Sequence, residues 1–356
     1  MLKVVKALAV AAITLASIGF VVTDTGSVGA TGTCIAKVFV TNYGGSSLSM
    51  IDTASNAANS PLTVGSSPND VAITPDGMTA YVANSTSDTV SIINVATNTV
   101  TGTINVGAVP LGIAITPDGT KAYVTNYLDH NLSIINLATN AVTSTPVILG
   151  FNPIGIVITP NGTTAYVANS TGNSVYVIDI GSNSIITTQN VGNAPQGLAI
   201  APNGSAVYVA NYNSNNVSVI DTTTNTVSTT VAVGNGPTHI AITPDGTRGY
   251  VTNYGSNNVS VLNLATNAVT TTISTGASSL PQGISITSDG ETAYIATYGT
   301  NNVSVLNLAT NAVTTTIGVG NHPLGIAATP CAAPTPTTTT TTTAASDPEV
   351  VPAFTG

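Results

Sequence analysis

A short strand led by an aromatic residue and ending near Asn recurs seven times at almost constant spacing, and this confines the chain to a small set of architectures. The copies begin at Phe39, Tyr81, Tyr123, Tyr166, Tyr208, Tyr250 and Tyr294, at intervals of 42, 42, 43, 42, 42 and 44 residues. A period in this range marks units that stack or radiate, because one such unit cannot bury its apolar faces alone. The segments read F-V-T-N-Y, Y-V-A-N-S, Y-V-T-N-Y, Y-V-A-N-S, Y-V-A-N-Y, Y-V-T-N-Y and Y-I-A-T-Y, and the last loses its Asn at Thr297.

The third copy shows what one unit contains. Gly112 to Thr116 is an apolar run, Thr116-Pro117-Asp118-Gly119 is a turn, and Ala122 to Asn126 is the signature strand. Pro presets the turn dihedral, Asp bonds back to the backbone and Gly accepts positive φ. Leu132 to Leu137 alternates as a third strand, Ala138-Thr139-Asn140 turns the chain, and a fourth strand is expected from Ala141 to Val147 before the next unit opens at Gly155. Four short antiparallel strands per unit leave both sheet faces apolar, and a radial arrangement buries both. The chain therefore reads as all-β, a seven-bladed β-propeller of four-stranded antiparallel blades. A linear β-solenoid is the alternative, and it would need end caps that are not found.

The innermost strands fall near Val71, Ile113, Ile156, Leu198, Ile240, Ile284 and Ile326, so the chain starts at a second strand and ends on a first strand. Gly325 to Thr329 is thus expected to complete the blade begun by Val38 to Asn42, a one-plus-three strand clasp. Aligning Thr329-Pro330-Cys331 with Thr116-Pro117-Asp118 puts Cys331 at the Asp of the turn, and aligning Phe39 with Tyr123 puts Cys34 at that same position. In an oxidising compartment this pair predicts a Cys34 to Cys331 disulfide, with free thiols or a metal pair as the alternatives.

Export is expected because Lys3 and Lys6 precede an apolar run from Ala7 to Val22 and small residues ending Val28-Gly29-Ala30. These are the parts of a signal peptide over residues 1–30, against the alternative of an uncleaved anchor. The propeller is then expected over residues 31–331, followed over 332–356 by a Pro- and Thr-rich tail suited to a linker or stalk, without a C-terminal membrane anchor. The whole chain has formal charge −9 and only five basic residues, Lys3, Lys6, Lys37, Lys121 and Arg248, so nucleic acid is an unsuitable partner.

The strands Tyr123-Val124-Thr125-Asn126 and Tyr250-Val251-Thr252-Asn253, with T-P-D-G upstream and Val217-Ser218-Val219-Ile220-Asp221-type segments downstream, resemble the YVTN β-propeller repeat family. The resemblance covers residues 36–330. It implies a seven-bladed propeller on a cell surface, as in archaeal surface-layer proteins, while related repeats in bacterial secreted proteins and lactonase-like enzymes leave the function loosely set.

Chemistry is sparse. Asp70 and His239 stand where most copies carry Gly, and with His322 they lie near the entries of innermost strands, so a weak metal or ligand site is conceivable against solvated edge residues. Asp76, Asp118, Asp245 and Asp289 suggest repeated calcium sites, but Asn161 and Asn203 replace two of them and turn chemistry explains both residue types. Nucleophile-elbow, zincin, P-loop, c-type haem and EF-hand patterns are absent, and no cofactor is implied. Residues 257–273 recur unchanged at 301–317, which suits a demand for shape more than the unlike groups catalysis needs. Sequons occur at Asn84, Asn131, Asn161, Asn169, Asn203, Asn216, Asn258 and Asn302, and several fall in polar loops where a glycan would meet solvent.

The expectation is a secreted or cell-surface module without enzymatic activity, acting on other surface proteins or glycans and open to self-association. A lactonase- or oxidoreductase-like enzyme at the channel mouth is the alternative. A glycan- or ligand-binding propeller is another and would need exposed aromatics, for which Tyr43, Tyr127, Tyr212, Tyr254 and Tyr298 near strand ends are the candidates.

Overall fold

The computed structural model describes residues 36–143 and 146–330. They form seven antiparallel sheets, and the first strand of each touches the first strands of its two neighbours, so the sheets close into a ring. Blades 1 to 6 follow in chain order over residues 68–105, 110–148, 153–190, 195–232, 237–274 and 281–318. Blade 7 joins the two ends: Pro323–Ala328 pairs antiparallel with Lys37–Asn42, which pairs in turn with Ser47–Asp52.

Burial explains why the blades must stand side by side. The second strand of every blade is buried along nearly its whole length, as in Lys121–Asn126, and so is the third, as in Asn131–Asn136. Fourth strands such as Thr226–Ala232 are mostly exposed. Two faces of one sheet cannot both be dry unless a neighbour covers each. Apolar clusters accordingly straddle the seams, for example Tyr81, Val90 and Ile92 of blade 1 against Ile113, Val124 and Ile135 of blade 2.

Polar bolts cross the same seams. The signature tyrosine hydroxyls donate to Asn Oδ1 in the turn before the fourth strand of the next blade: Tyr81 to Asn140, Tyr123 to Asn183, Tyr166 to Asn225, Tyr208 to Asn267, Tyr250 to Asn311 and Tyr294 to Asn56, at 2.6–3.2 Å. These asparagines have positive φ, which Asn tolerates better than most residues. Within a blade, the Asn ending the signature strand is also spent, as Asn126 Nδ2 donates to Asn131 Oδ1 and Ser133 Oγ.

Two expectations shift. Innermost strands open at a proline, Pro110 and Pro153 rather than Gly112 and Gly155. The fourth strand of blade 2 is two pairs, Ala141–Val142 and Val147–Ile148, instead of one run; blade 7 likewise has Ala57–Ala58 and Leu62–Thr63. Pro146 and Pro61 lie at the interruptions, where a missing N–H cannot continue a ladder.

Candidate functional site

Each innermost strand begins Pro-x-y at one end of the ring, and x, y or both border the central channel; residue y sets how closely neighbouring strands approach. In blades 2, 3, 4, 6 and 7 it is Gly112, Gly155, Gly197, Gly283 and Gly325. A methyl group on Gly112 would run into the carbonyl of Ile154 in blade 3, and one on Gly325 into that of Asn69 in blade 1. Glycine is required by this close approach. Blades 1 and 5 carry Asp70 and His239 instead, and there the strand keeps a ladder pair, with Ala83 and Thr252, that the glycine blades lack.

Asp70 and His239 line one cavity of about 240 Å³ at the centre of the ring, three blades apart and so on opposing sides. The wall is uneven. Asn69, Asp70, Gln196, His239 and Gln282 make blades 1 and 4 to 6 polar, while Leu111, Ile154 and Leu324 make blades 2, 3 and 7 apolar. Desolvation pushes the Asp70 carboxyl up to about 6, against hydrogen bonds from the Ile113 and Val71 amides. Desolvation pushes the His239 imidazole down to about 4, and its Nδ1 is buried with no partner. At neutral pH the pair is therefore a carboxylate facing a neutral imidazole.

His322 does not join them. It lies one residue before Pro323, on the exposed rim, with its ring stacked on Tyr298 at 4.5 Å and 15°. The three residues expected as a weak metal site are thus split. Among the described residues, no group of three or more His, Cys, Asp or Glu side chains could hold a metal ion.

The rim holds what the sequence flagged without connecting. Tyr212, Tyr254 and Tyr298 sit on consecutive blades 4, 5 and 6, with ring centroids 6.3 and 6.5 Å apart and planes tilted by 52° and 58°. The stack on His322 carries this arc to blade 7, where Tyr43 is exposed. Burial, then the neighbouring Tyr212 and Tyr298 hydroxyls, raises the Tyr254 phenol above its ordinary value. The six signature hydroxyls are spent on asparagines, and that of Tyr176 accepts from the Gly150 amide and Asn169 Nδ2. Among the described residues, the hydroxyls of Tyr212, Tyr254 and Tyr298 have no hydrogen-bond partner. The signal was present in the sequence as Tyr at the fifth signature position in three successive copies.

The rim backbone is fixed. Ala194, Gly236, Leu280 and His322 all have positive φ, and their amides are held by Oδ1 of Asn173, Asn215, Asn257 and Asn301 of the preceding blade, at 2.8–2.9 Å. Left-handed Ala and Leu persist only where surroundings over-determine them.

Other predicted residues disperse. Of the sequon asparagines, Asn84 and Asn169 are buried and their Nδ2 groups donate inside the blade. Asn131, Asn216, Asn258 and Asn302 are half-buried at third-strand starts, whereas Asn161 and Asn203 are exposed in turns at the opposite end. Asp76, Asp118, Asp245 and Asp289 each bond to their own turn, as in the Thr120 amide donating to Asp118 Oδ1. Cys34 and Cys331 lie outside the described residues, as do the leader and the Thr-rich tail.

None of the curated proteins matches the chain in sequence. Among solved structures, hydrazine synthase of Kuenenia stuttgartiensis is similar with TM-score 0.67 and 23% identity, over 73% of this chain and 89% of that one. A functionally unknown protein from Desulfotomaculum acetoxidans DSM 771 gives TM-score 0.74 and 20% identity, over 83% and 99%. The dihydro-heme d1 dehydrogenase NirN gives 0.64 and 12%, over 82% and 74%. At these identities the likeness shows the fold alone. It nevertheless overturns the expectation that such a chain is not an enzyme, since a synthase and a dehydrogenase carry the same fold. Even blades are no argument against catalysis, because function on this scaffold depends on the few residues that break the repeat. A profile of one propeller family matches residues 4–334, nearly the whole sequence, and the chain belongs to the YNCE-like beta-propeller family.

Proposed function

We propose that this chain is an exported, surface-layer-like propeller that works as an interaction module, engaging its partner at the channel mouth and tyrosine rim. The observation that carries this reading is the division of the tyrosines: those in the signature strands spend their hydroxyls on the fold, whereas Tyr212, Tyr254 and Tyr298 leave theirs at a rigid rim. Groups that stabilise nothing internally are available for recognition. The leader pattern and the YVTN resemblance support the exported, cell-surface setting, and the Thr-rich tail suits a stalk.

Fractionation of the producing cells with surface proteolysis tests the setting; the expected chain is external and lacks residues 1–30, and a cytosolic chain retaining them would overturn it. Retention of purified protein on isolated cell envelopes tests the mouth. Tyr254→Ala with Tyr298→Ala should abolish retention, and equal retention by wild type and variant counts against this surface.

A second reading, a lactonase- or oxidoreductase-like enzyme at the channel mouth, is favoured by Asp70 and His239 facing one cavity with opposite shifts. His239→Gly should then remove activity on a lactone panel while leaving envelope retention intact.

A further inference from the structure

We propose that the arc formed by Tyr212, Tyr254, Tyr298 and His322 binds an extended neutral polysaccharide, a reading that rests on the mouth being the binding surface and specifies its ligand class. Tyr212, Tyr254 and Tyr298 follow one another with centroids 6.3 and 6.5 Å apart and mutual tilts of 52° and 58°, and His322 lies face to face on Tyr298 at 4.5 Å, so the four rings make one continuous aromatic arc across blades 4 to 7. A linear chain of pyranose rings presents the matching feature, alternating apolar C–H faces and equatorial hydroxyls. Tyrosine suits it because the ring meets the C–H face while the phenol exchanges hydrogen bonds with sugar hydroxyls.

Charge selects against the other polymers that stack on aromatics. Lys37, Lys121 and Arg248 each open a second strand and so lie at the end of the ring away from the rim. Lys37 Nζ and Arg248 Nη1 are moreover spent on the carbonyls of Val95 and Leu308. The rim end instead carries Asp70, Asp88 and Asp129, two of which hold rim amides. A polyphosphate backbone would meet no counter-charge there, and binding of nucleic acid depends chiefly on such contacts.

The remaining groups suit a neutral polar ligand. The loops that follow the tyrosines are Asn213-Ser214, Gly255-Ser256 and Gly299-Thr300, and the channel beside the arc shows Gln196 and Gln282 on blades 4 and 6. Tyr, Ser, Gly and Asn together make adaptable contact surfaces at low entropic cost. The Asn215, Asn257 and Asn301 ties hold the rim before any ligand arrives, which lowers the cost of binding.

Affinity electrophoresis of the full chain in gels containing β-glucan, α-mannan or galactomannan tests this, with dextran sulfate and oligo(dT) gels as the charged arms. The wild type should be retarded by at least one neutral polysaccharide, and Tyr254→Ala with Tyr298→Ala should bind about tenfold more weakly, the effect of losing two stacking contacts. Tyr254→Phe with Tyr298→Phe keeps the rings and should bind within a few-fold of wild type, which separates loss of stacking from loss of fold. Absence of retardation in every neutral gel, retardation confined to the charged gels, or equal retardation of wild type and the alanine variant overturns the proposal. Envelope retention that depends on the tyrosines without any neutral-gel retardation would discard the polysaccharide and keep the mouth. Retention indifferent to the tyrosines would discard the mouth itself.

Discussion

At the scale of single residues, small departures from the repeat leave identifiable atoms without partners. Phe39 stands where the other copies have Tyr, and Asn98, in the turn its hydroxyl would reach, has a buried Oδ1 with no partner. Thr297 stands where the others have Asn, and the Oγ of Ser304, which that amide would serve, is also unpaired. Satisfying a buried acceptor gains the hydrogen bond and removes a desolvation cost. Phe39→Tyr should therefore stabilise the fold by about 1–2 kcal/mol in denaturant unfolding, and an unchanged or lowered midpoint would refute the pairing. Asp70 permits a test by pH. Its folded pKa of about 6 lies above the ordinary 3.8, so its ionisation removes stability as pH rises from about 4 through 6. His239, held at about 4 from an ordinary 6.5, acts oppositely: stability is present above 6.5 and is lost as pH falls towards 4. The two slopes oppose each other in the wild type. Asp70→Asn should remove the slope that opposes His239 between about pH 4 and 6 and be more stable than wild type at pH 7, by on the order of 1–3 kcal/mol, with the lower end favoured because the side chain is only half-buried. That advantage should disappear below pH 4, and a pH-independent difference would show that Asp70 acts through shape instead of charge.

At the scale of strands and blades, the sequence carried the architecture because each local signal agreed with the ring. T-P-D-G marked the turn between first and second strands, and two-sided burial of the second and third strands followed from their apolar runs. What escaped were features that depend on a neighbour. Proline at Pro110 and Pro153 looks like a link but begins a strand, since a first residue needs no ladder donor. Pro61 and Pro146 have the reverse effect inside fourth strands. Asp70 and His239 were legible as exceptions to a glycine position, yet their opposition across one cavity exists only after the ring closes. His322 shares with them a place near a strand entry, but it precedes its proline whereas they follow theirs, and that register difference moves it from channel to rim. The aromatic arc was the least legible feature. Tyrosines 42 and 44 residues apart become ring neighbours, and His322 stacks on Tyr298 from the next blade, through blade packing that no local pattern expresses.

At the scale of the whole molecule, closure concentrates its weaknesses in blade 7. That blade is assembled from both ends of the described chain, with the Lys37 amide donating to Thr329 Oγ1 and the Thr329 amide to the Lys37 carbonyl. Its fourth strand is interrupted at Pro61, and its seam with blade 1 is the one where Phe39 leaves Asn98 unbolted. Opening a propeller requires parting some blade from its neighbour, and the seam between blades 7 and 1 lacks the Tyr–Asn bond that the six other seams have. A covalent tie would have its greatest effect there, because it would join segments separated by nearly the whole chain. We propose that Cys34 and Cys331, in the segments next to Lys37 and Thr329, form that tie. A bridge across so long a loop restrains the unfolded chain by up to about 5 kcal/mol in the entropy model, with measured gains commonly smaller. The unreduced protein should have an intact mass lighter by one pair of hydrogens, and reduction should lower its denaturant midpoint. Cys34→Ser with Cys331→Ser should reproduce that lowering and make the midpoint insensitive to reductant. Phe39→Tyr should recover part of the loss in the reduced protein, since it strengthens the same seam by a route that does not depend on thiols. A full-length unreduced chain carrying two free thiols would remove the bridge while leaving the seam argument to the Phe39 variant alone.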